Sequence, residues 1–300
     1  GCCIGAVFAG KLSDKYGRKP LLIMAAVMFI CTSLGTGMAN SFVWFNIFRF
    51  LGGLSIGLAT NQSPIYIAEI SPAYIRGRLV GANQLATVLG ILSAQVVNWL
   101  VAEPVPADFT NEMIAASWNG QMGWRYMFWA MIIPAGIFFL CAFFIPESPR
   151  WLIMKGRTGE ALQILRRIGG QQYADAEVAA TASSIASEPH ARFSELFQRK
   201  YANVLLIGVV LAVFQQWCGI NVIFNYAQEI FMAAGYGVSD VLMNIVITGV
   251  TNVIFTIVAM FLVDKVGRKA LLLYGSVGLA VIYLFMGGAY YFHISGIFLL

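Results

Sequence analysis

The stretch "QQWCGIN", residues 215–221, sets two adjacent glutamines and an asparagine inside an apolar run that begins near Val204. Amides offer hydrogen bonding rather than bond-breaking chemistry: each carries an acceptor oxygen and two donor hydrogens, a set that matches a neutral hydroxylated solute. Each such bond contributes only about 0.5–1.5 kcal/mol net, which suits a solute that must be held and then released. On an ideal helix with Gln215 at zero, Gln216 falls at about 100°, Asn221 at about 240°, Asn225 at about 280° and Tyr226 at about 20°. The polar groups thus surround most of the helix. A helix facing hydrocarbon all round would leave them unpaired at a large cost, so the segment must meet protein or water on several sides. Gly219, in the middle, predicts a bend or break that lets the amides converge. Two readings fit these residues: bonds to neighbouring helices, or the lining of a solute site.

The elements that must position them are membrane spans. Of the 300 residues, 59% are hydrophobic and 11% charged, with mean hydropathy +0.75. A water-soluble domain averages about 25% charged residues, so much of this chain has a bilayer as its solvent. Taking roughly 20 apolar residues per helical span, we read the tail of a span at 1–9. Spans follow at 20–39, 42–66, 80–101, 124–145, 202–232, 240–263 and 271–292, and another begins near 295. The five cysteines all lie in apolar runs without metal or redox spacing and are expected as small core-filling residues.

Charge placement orients the spans. Lys11, Lys15, Arg18 and Lys19 fill the first loop, Arg76 and Arg78 the third, and Lys265, Arg268 and Lys269 follow the 240–263 span. The alternate loops hold Glu103, Asp108, Glu112 and Asp240, with Arg125 their one basic residue. The positive-inside rule makes the basic side cytoplasmic. The net charge of +5 is therefore a topology signal, and its separate clusters argue against a nucleic-acid partner. Residues 151–200 form the one sizeable aqueous piece. There Leu162, Leu165 and Ile168 predict the buried face of a short amphipathic helix, and "ADAEVAATASSIAS" reads as either helix or tether.

An internal repeat follows. "GKLSDKYGRKPLLI" at 10–23 and "MFLVDKVGRKALLL" at 260–273 place Asp, Lys, Gly, Arg and Lys at the same spacing, Asp14 matching Asp264 and Arg18 matching Arg268. Gly17 and Gly267 predict tight four- to five-residue connections. Repeats of this kind mark transporters built from two related halves. The chain then divides into 1–150, part of an N-terminal half, a cytoplasmic linker at 151–200, and 201–300, part of a C-terminal half.

These loops resemble the sugar porter branch of the major facilitator superfamily. "IPESPRWL" at 145–152, "RFLGGLSIGLA", "PIYIAEISPAYIRGRLVGANQ", "GWRYMF" and "QQWCGINVIFNY" resemble further motifs of that branch, in its order. The likeness is greatest to bacterial D-xylose–proton symporters. It implies an all-α membrane bundle covering late helix 2 to early helix 10 of twelve, and a multi-pass, monomeric protein of a bacterial inner membrane. It also implies secondary transport of a neutral monosaccharide with protons by alternating access. A hexose or polyol facilitator and a non-transporting sugar sensor remain alternatives. No cofactor, metal or catalytic set is expected.

By this resemblance Gln84, Gln215, Gln216, Asn221 and Asn252 bind substrate, with Asn225 and Tyr226 as further contacts. The family usually shows Tyr where this chain has Asn225. Arg49, inside an apolar run, is implied as a modulator of a proton-binding carboxylate, with a snorkelling arginine as the alternative. Asp14, Arg18, Glu69, Arg76, Glu147, Arg150, Asp264 and Arg268 are implied as a cytoplasmic ion-pair latch between the halves. "GLSIG" at 53–57 fits a nucleophile pattern but lies in a span without a preceding strand. We read it as Gly53 and Gly57 allowing close helix packing.

Overall fold

The computed structural model describes residues 1–104, 111–187, 199–219, 226 and 238–291; within these ranges, side chains including those of Asp264 and Arg268 are outside the description. The described residues form helices α1 (Cys2–Tyr16), α2 (Arg18–Met38), α3 (Phe42–Ile70) and α4 (Ala73–Val101). Next come α5 (Asn111–Ala116), a π-helical turn at Asn119–Gly123, α6 (Trp124–Ala130), α7 (Ile132–Phe144) and α8 (Pro149–Met154). Last are α9 (Thr158–Ser187), α10 (Arg199–Trp217), α11 (Val238–Val266) and α12 (Arg268–Tyr291). Among the described residues, 6 helical stretches are long and apolar enough to cross a membrane.

Helix ends run beyond the predicted spans. α1 continues through Lys11 and Lys15, and α3 reaches Ile70, because helical backbone continues past the hydrocarbon into polar turns. The predicted four- to five-residue connection shrinks to Gly17 alone, which sits between α1 and α2 at φ 101. Gly267 repeats this between α11 and α12 at φ 86. In both places the glycine N–H donates to the carbonyl four residues back, Ser13 or Val263. The sequence repeat is thus a repeat of backbone geometry.

The chain divides into two compact units. The first holds residues 1–87, 101–103 and 112–189. Its core, Ala9, Leu21, Ala25 and Leu58, joins α1, α2 and α3. Small residues set the approach: a Cβ on Gly57 would run into the backbone at Cys2 and one on Gly5 into that of Leu54, while one on Gly53 would press tightly on Cys2. The expected role of Gly53 and Gly57 is borne out. Asn61 and Gln62 tie the same helices by donating to the Ala6 and Ala9 carbonyls at 3.4 and 3.1 Å.

Trp151, Leu152 and Ala161 form a second small core between α8 and α9. The "ADAEVAATASSIAS" stretch is helical, in the second part of α9 after a kink at Gly170 (φ 82). The buried line on α9 is Ala161 and Leu165 rather than the expected Leu162, Leu165 and Ile168; Ile168 is exposed. The small Ala161 allows the approach to α8, which rotates the buried face by a residue.

The second unit holds residues 88–100, 104–111 and 190–300. Its outer faces are apolar, Leu284 and Phe285 of α12 being 77% and 76% exposed, as lipid contact requires. The cysteines correct an expectation. Cys2, Cys3, Cys31 and Cys141 are exposed and Cys218 half-buried, so they occupy lipid-compatible faces rather than the core.

Candidate functional site

Four of the residues assigned to the latch meet within the first unit. Arg18 opens α2 with its side chain 7% exposed. Its Nε and one terminal nitrogen each donate to the Glu69 carboxylate at 2.9 Å, a two-pronged pair. Its other terminal nitrogen donates to the Ser13 carbonyl at 3.2 Å and to Asp14 at 3.4 Å. The charge taken out of water is thereby bonded on every side, the condition under which a buried pair is tolerated.

Glu147 performs a different task with the same charge. Its Oε1 accepts from the backbone N–H groups of Arg18, Lys19 and Ser148 at 2.9, 3.2 and 2.9 Å. The first two begin α2, so the carboxylate sits where the helix dipole and free N–H groups favour an anion. Gly17 is required for that approach, because a Cβ there would run into the Glu147 carboxylate. Ser148 then links the two acids. It caps α8 by accepting from the Trp151 N–H, and its hydroxyl donates to Glu69 at 2.6 Å.

Sequence reasoning missed several partners. Tyr66 donates its hydroxyl to the Pro146 carbonyl at 2.8 Å, Trp151 donates its indole N–H to the Asp14 carbonyl at 3.2 Å, and Ser148 is fully buried. A Ser before the Pro that opens α8 is a readable cap signal. Beside this network lies a cleft of about 330 Å³, lined by Glu69, Arg76, Arg150 and Glu177 among others. Arg76 also donates to the Ser71 carbonyl at 3.4 Å. In α9, next to the cleft, the Tyr173 phenol is pushed up by burial and by Glu177, with Arg76 pulling the other way.

The amide set falls on three helices. Gln84 is exposed on α4, and Asn252 is half-buried on α11. Gln215 and Gln216 are exposed in the last turn of α10, which ends at Trp217. Gly219 follows at φ 81, so the break expected there is present. Tyr283 of α12 braces it, its hydroxyl donating to the Cys218 carbonyl at 2.7 Å. Tyr226 is 56% exposed, while Asn221 and Asn225 lie outside the described residues.

Arg49 is exposed on α3, with its guanidinium 5.4 Å from the Phe128 ring centre. Arg125 has a role the sequence did not suggest. It donates to the Gly37 carbonyl at 2.6 Å and to Asn40 at 3.3 Å, closing the C-terminal end of α2.

A family model described as "Sugar (and other) transporter" matches residues 1–297. The chain belongs to the sugar transporter family. It is 40% identical to a glucose transport protein of Synechocystis sp., covering 94% of this chain and 59% of that protein. It is 38% identical to the arabinose–proton symporter of Bacillus subtilis, covering 100% and 63%. The D-xylose–proton symporter of Escherichia coli is 37% identical, covering 99% and 62%. A solved structure of the E. coli xylose transporter XylE, partially occluded and inward-open, superposes with TM-score 0.84 at 36% identity, covering 99% of this chain and 68% of that one.

The chain therefore spans 59–63% of the length of these curated relatives. It has the major facilitator fold and is a multi-pass membrane protein. The resemblance to bacterial xylose symporters stands, and carriers of arabinose and glucose are equally similar.

Proposed function

We propose that the chain is part of a secondary carrier that moves a neutral, xylose-like monosaccharide together with protons by alternating access. The observation that carries this reading is the end of α10. Two exposed amides, Gln215 and Gln216, close a helix that is apolar from Val204 to Phe214, three and four residues before the left-handed Gly219. Such a break exposes polar side chains and backbone groups at membrane depth, which a helix tolerates only beside protein or water. Gln84, Asn221 and Asn252 complete the proposed hydroxyl-binding set, with Asn225 and Tyr226 at its edge. Uncharged amides hold a sugar without the strong field that an ion site would impose.

Proton coupling is supported by the arabinose–proton and D-xylose–proton symporters among the relatives. In this reading Arg49 adjusts the proton affinity of a carboxylate. A second reading, a facilitator without proton coupling, is supported by a glucose facilitated diffusion protein of Zymomonas mobilis, 31% identical over 99% of this chain. The Arg18–Glu69–Glu147 network fixes the inner ends of α2, α3 and α8 as one body. Arg76, Arg150, Asp264 and Arg268 are proposed to extend it into the latch between halves.

The test is uptake of labelled xylose, arabinose and glucose into proteoliposomes by the full open reading frame containing this chain. Uptake raised by an inward proton gradient supports the symporter. Uptake indifferent to the gradient supports the facilitator, and no uptake of any sugar removes the carrier reading.

A further inference from the structure

Helices α4 and α11 approach each other within the second unit at one point. The side-chain oxygen of Gln95 lies directly over Gly249, where an added Cβ would overlap it, and Leu92 flanks the same spot at 3.1 Å. Gly249 is buried, as is Val241 on the same helix. The Gln95 side-chain oxygen is enclosed at this contact without a partner among the described residues.

An unpaired buried amide group normally weakens the packing that encloses it. At the outer half of α4, beyond Gln84, that weakness has a use. On an ideal helix Gln95 lies within about 20° of the face that carries Gln84. The contact with Gly249 therefore stands on the Gln84 stripe, toward the outer membrane surface.

We propose that Gln95 seated on Gly249 is an outer gate. When it is shut, the Gln95 oxygen is dehydrated and unpaired. When it opens, water or a passing sugar hydroxyl satisfies it. The unpaired amide keeps the shut form from becoming a trap, and the missing side chain at Gly249 lets it shut at all. The role in sugar passage rests on the carrier reading; the helix contact does not.

The experiment uses the full open reading frame in proteoliposomes, with its native cysteines replaced by serine and Asn98→Cys as a reporter on α4. The rate of labelling by a membrane-impermeant thiol reagent added outside is measured. Gln95→Leu removes the unpaired group at similar volume, and labelling is expected to slow about tenfold. Gly249→Ala places a methyl where the Gln95 oxygen sits, and labelling is expected to rise. Gln95→Ala combined with Gly249→Ala restores the space without restoring the unpaired group, and labelling should fall below that of Gly249→Ala alone. An unchanged circular dichroism spectrum in detergent shows that each variant is folded. Equal labelling in parent and variants overturns the gate. Changed labelling in a parent that moves no sugar upholds the contact and overturns the carrier reading instead.

Discussion

The Arg18 guanidinium holds the Glu69 carboxylate through two hydrogen bonds of 2.9 Å, bridging 51 residues of sequence with 7% and 11% of the side chains exposed. Removing one partner from such a pair leaves a stranded charge, at about 3–5 kcal/mol. Arg18→Ala is expected to lower the thermal midpoint of the detergent-solubilised protein accordingly. The Arg157–Glu160 pair is the contrast. At 2.7 Å it is closer, yet both side chains are more than half exposed, so Glu160→Ala should leave the midpoint unchanged.

Gly17 and Gly156 both adopt positive φ, at 101° and 76°. Only at Gly17 would a Cβ also strike the Glu147 carboxylate; around Gly156 the space is open. Gly156→Ala should cost about 1–3 kcal/mol from backbone strain alone. Gly17→Ala should cost more, since it also displaces the anion from the start of α2. Parallel thermal melts of the two variants, each against the parent, measure the difference.

Tyr173 has its phenol raised above the ordinary 10.0, first by burial and then by Glu177. A raised value means that the folded chain holds this proton more tightly than the unfolded one. The associated stability is complete below the ordinary value and is lost as pH climbs through the raised one. Tyr173→Phe cannot ionise and should flatten the alkaline limb of a plot of thermal midpoint against pH. An unchanged alkaline limb would count against this assignment.

Gln216→Ala tests the proposed sugar site. Losing one amide that grips one or two hydroxyls should weaken sugar binding about 5- to 20-fold while the fold persists. Titration calorimetry on the full open reading frame, with circular dichroism as a fold control, reads both. Affinity equal to the parent's would remove Gln216 from the site.

The spans among the described residues, the paired Asp-Lys-Gly-Arg-Lys corners and the break at Gly219 were legible because each is local. They depend on hydropathy over one helix, or on one residue with special backbone freedom. The helix lengths were less legible, since a hydropathy window ends at the first lysine while hydrogen-bonded backbone does not. The partnerships of Ser148 with Glu69 and of Tyr66 with Pro146 span 79 and 80 residues. No spacing rule reaches that far, so the sequence located the charges without revealing which acid binds a guanidinium and which caps a helix. The exposed cysteines misled for a different reason: in a bilayer, apolar does not mean interior.

The one-residue corner at Gly17 leaves no slack between α1 and α2. Two rods joined without spare chain cannot slide or swivel independently, so a push on one arrives at the other as a turn about that vertex. An inserted residue there would change the direction in which α2 leaves the corner, pulling Arg18 away from Glu69. The corner thus behaves as a rigid elbow, and the matching vertex at Gly267 gives the other end of the chain the same stiffness.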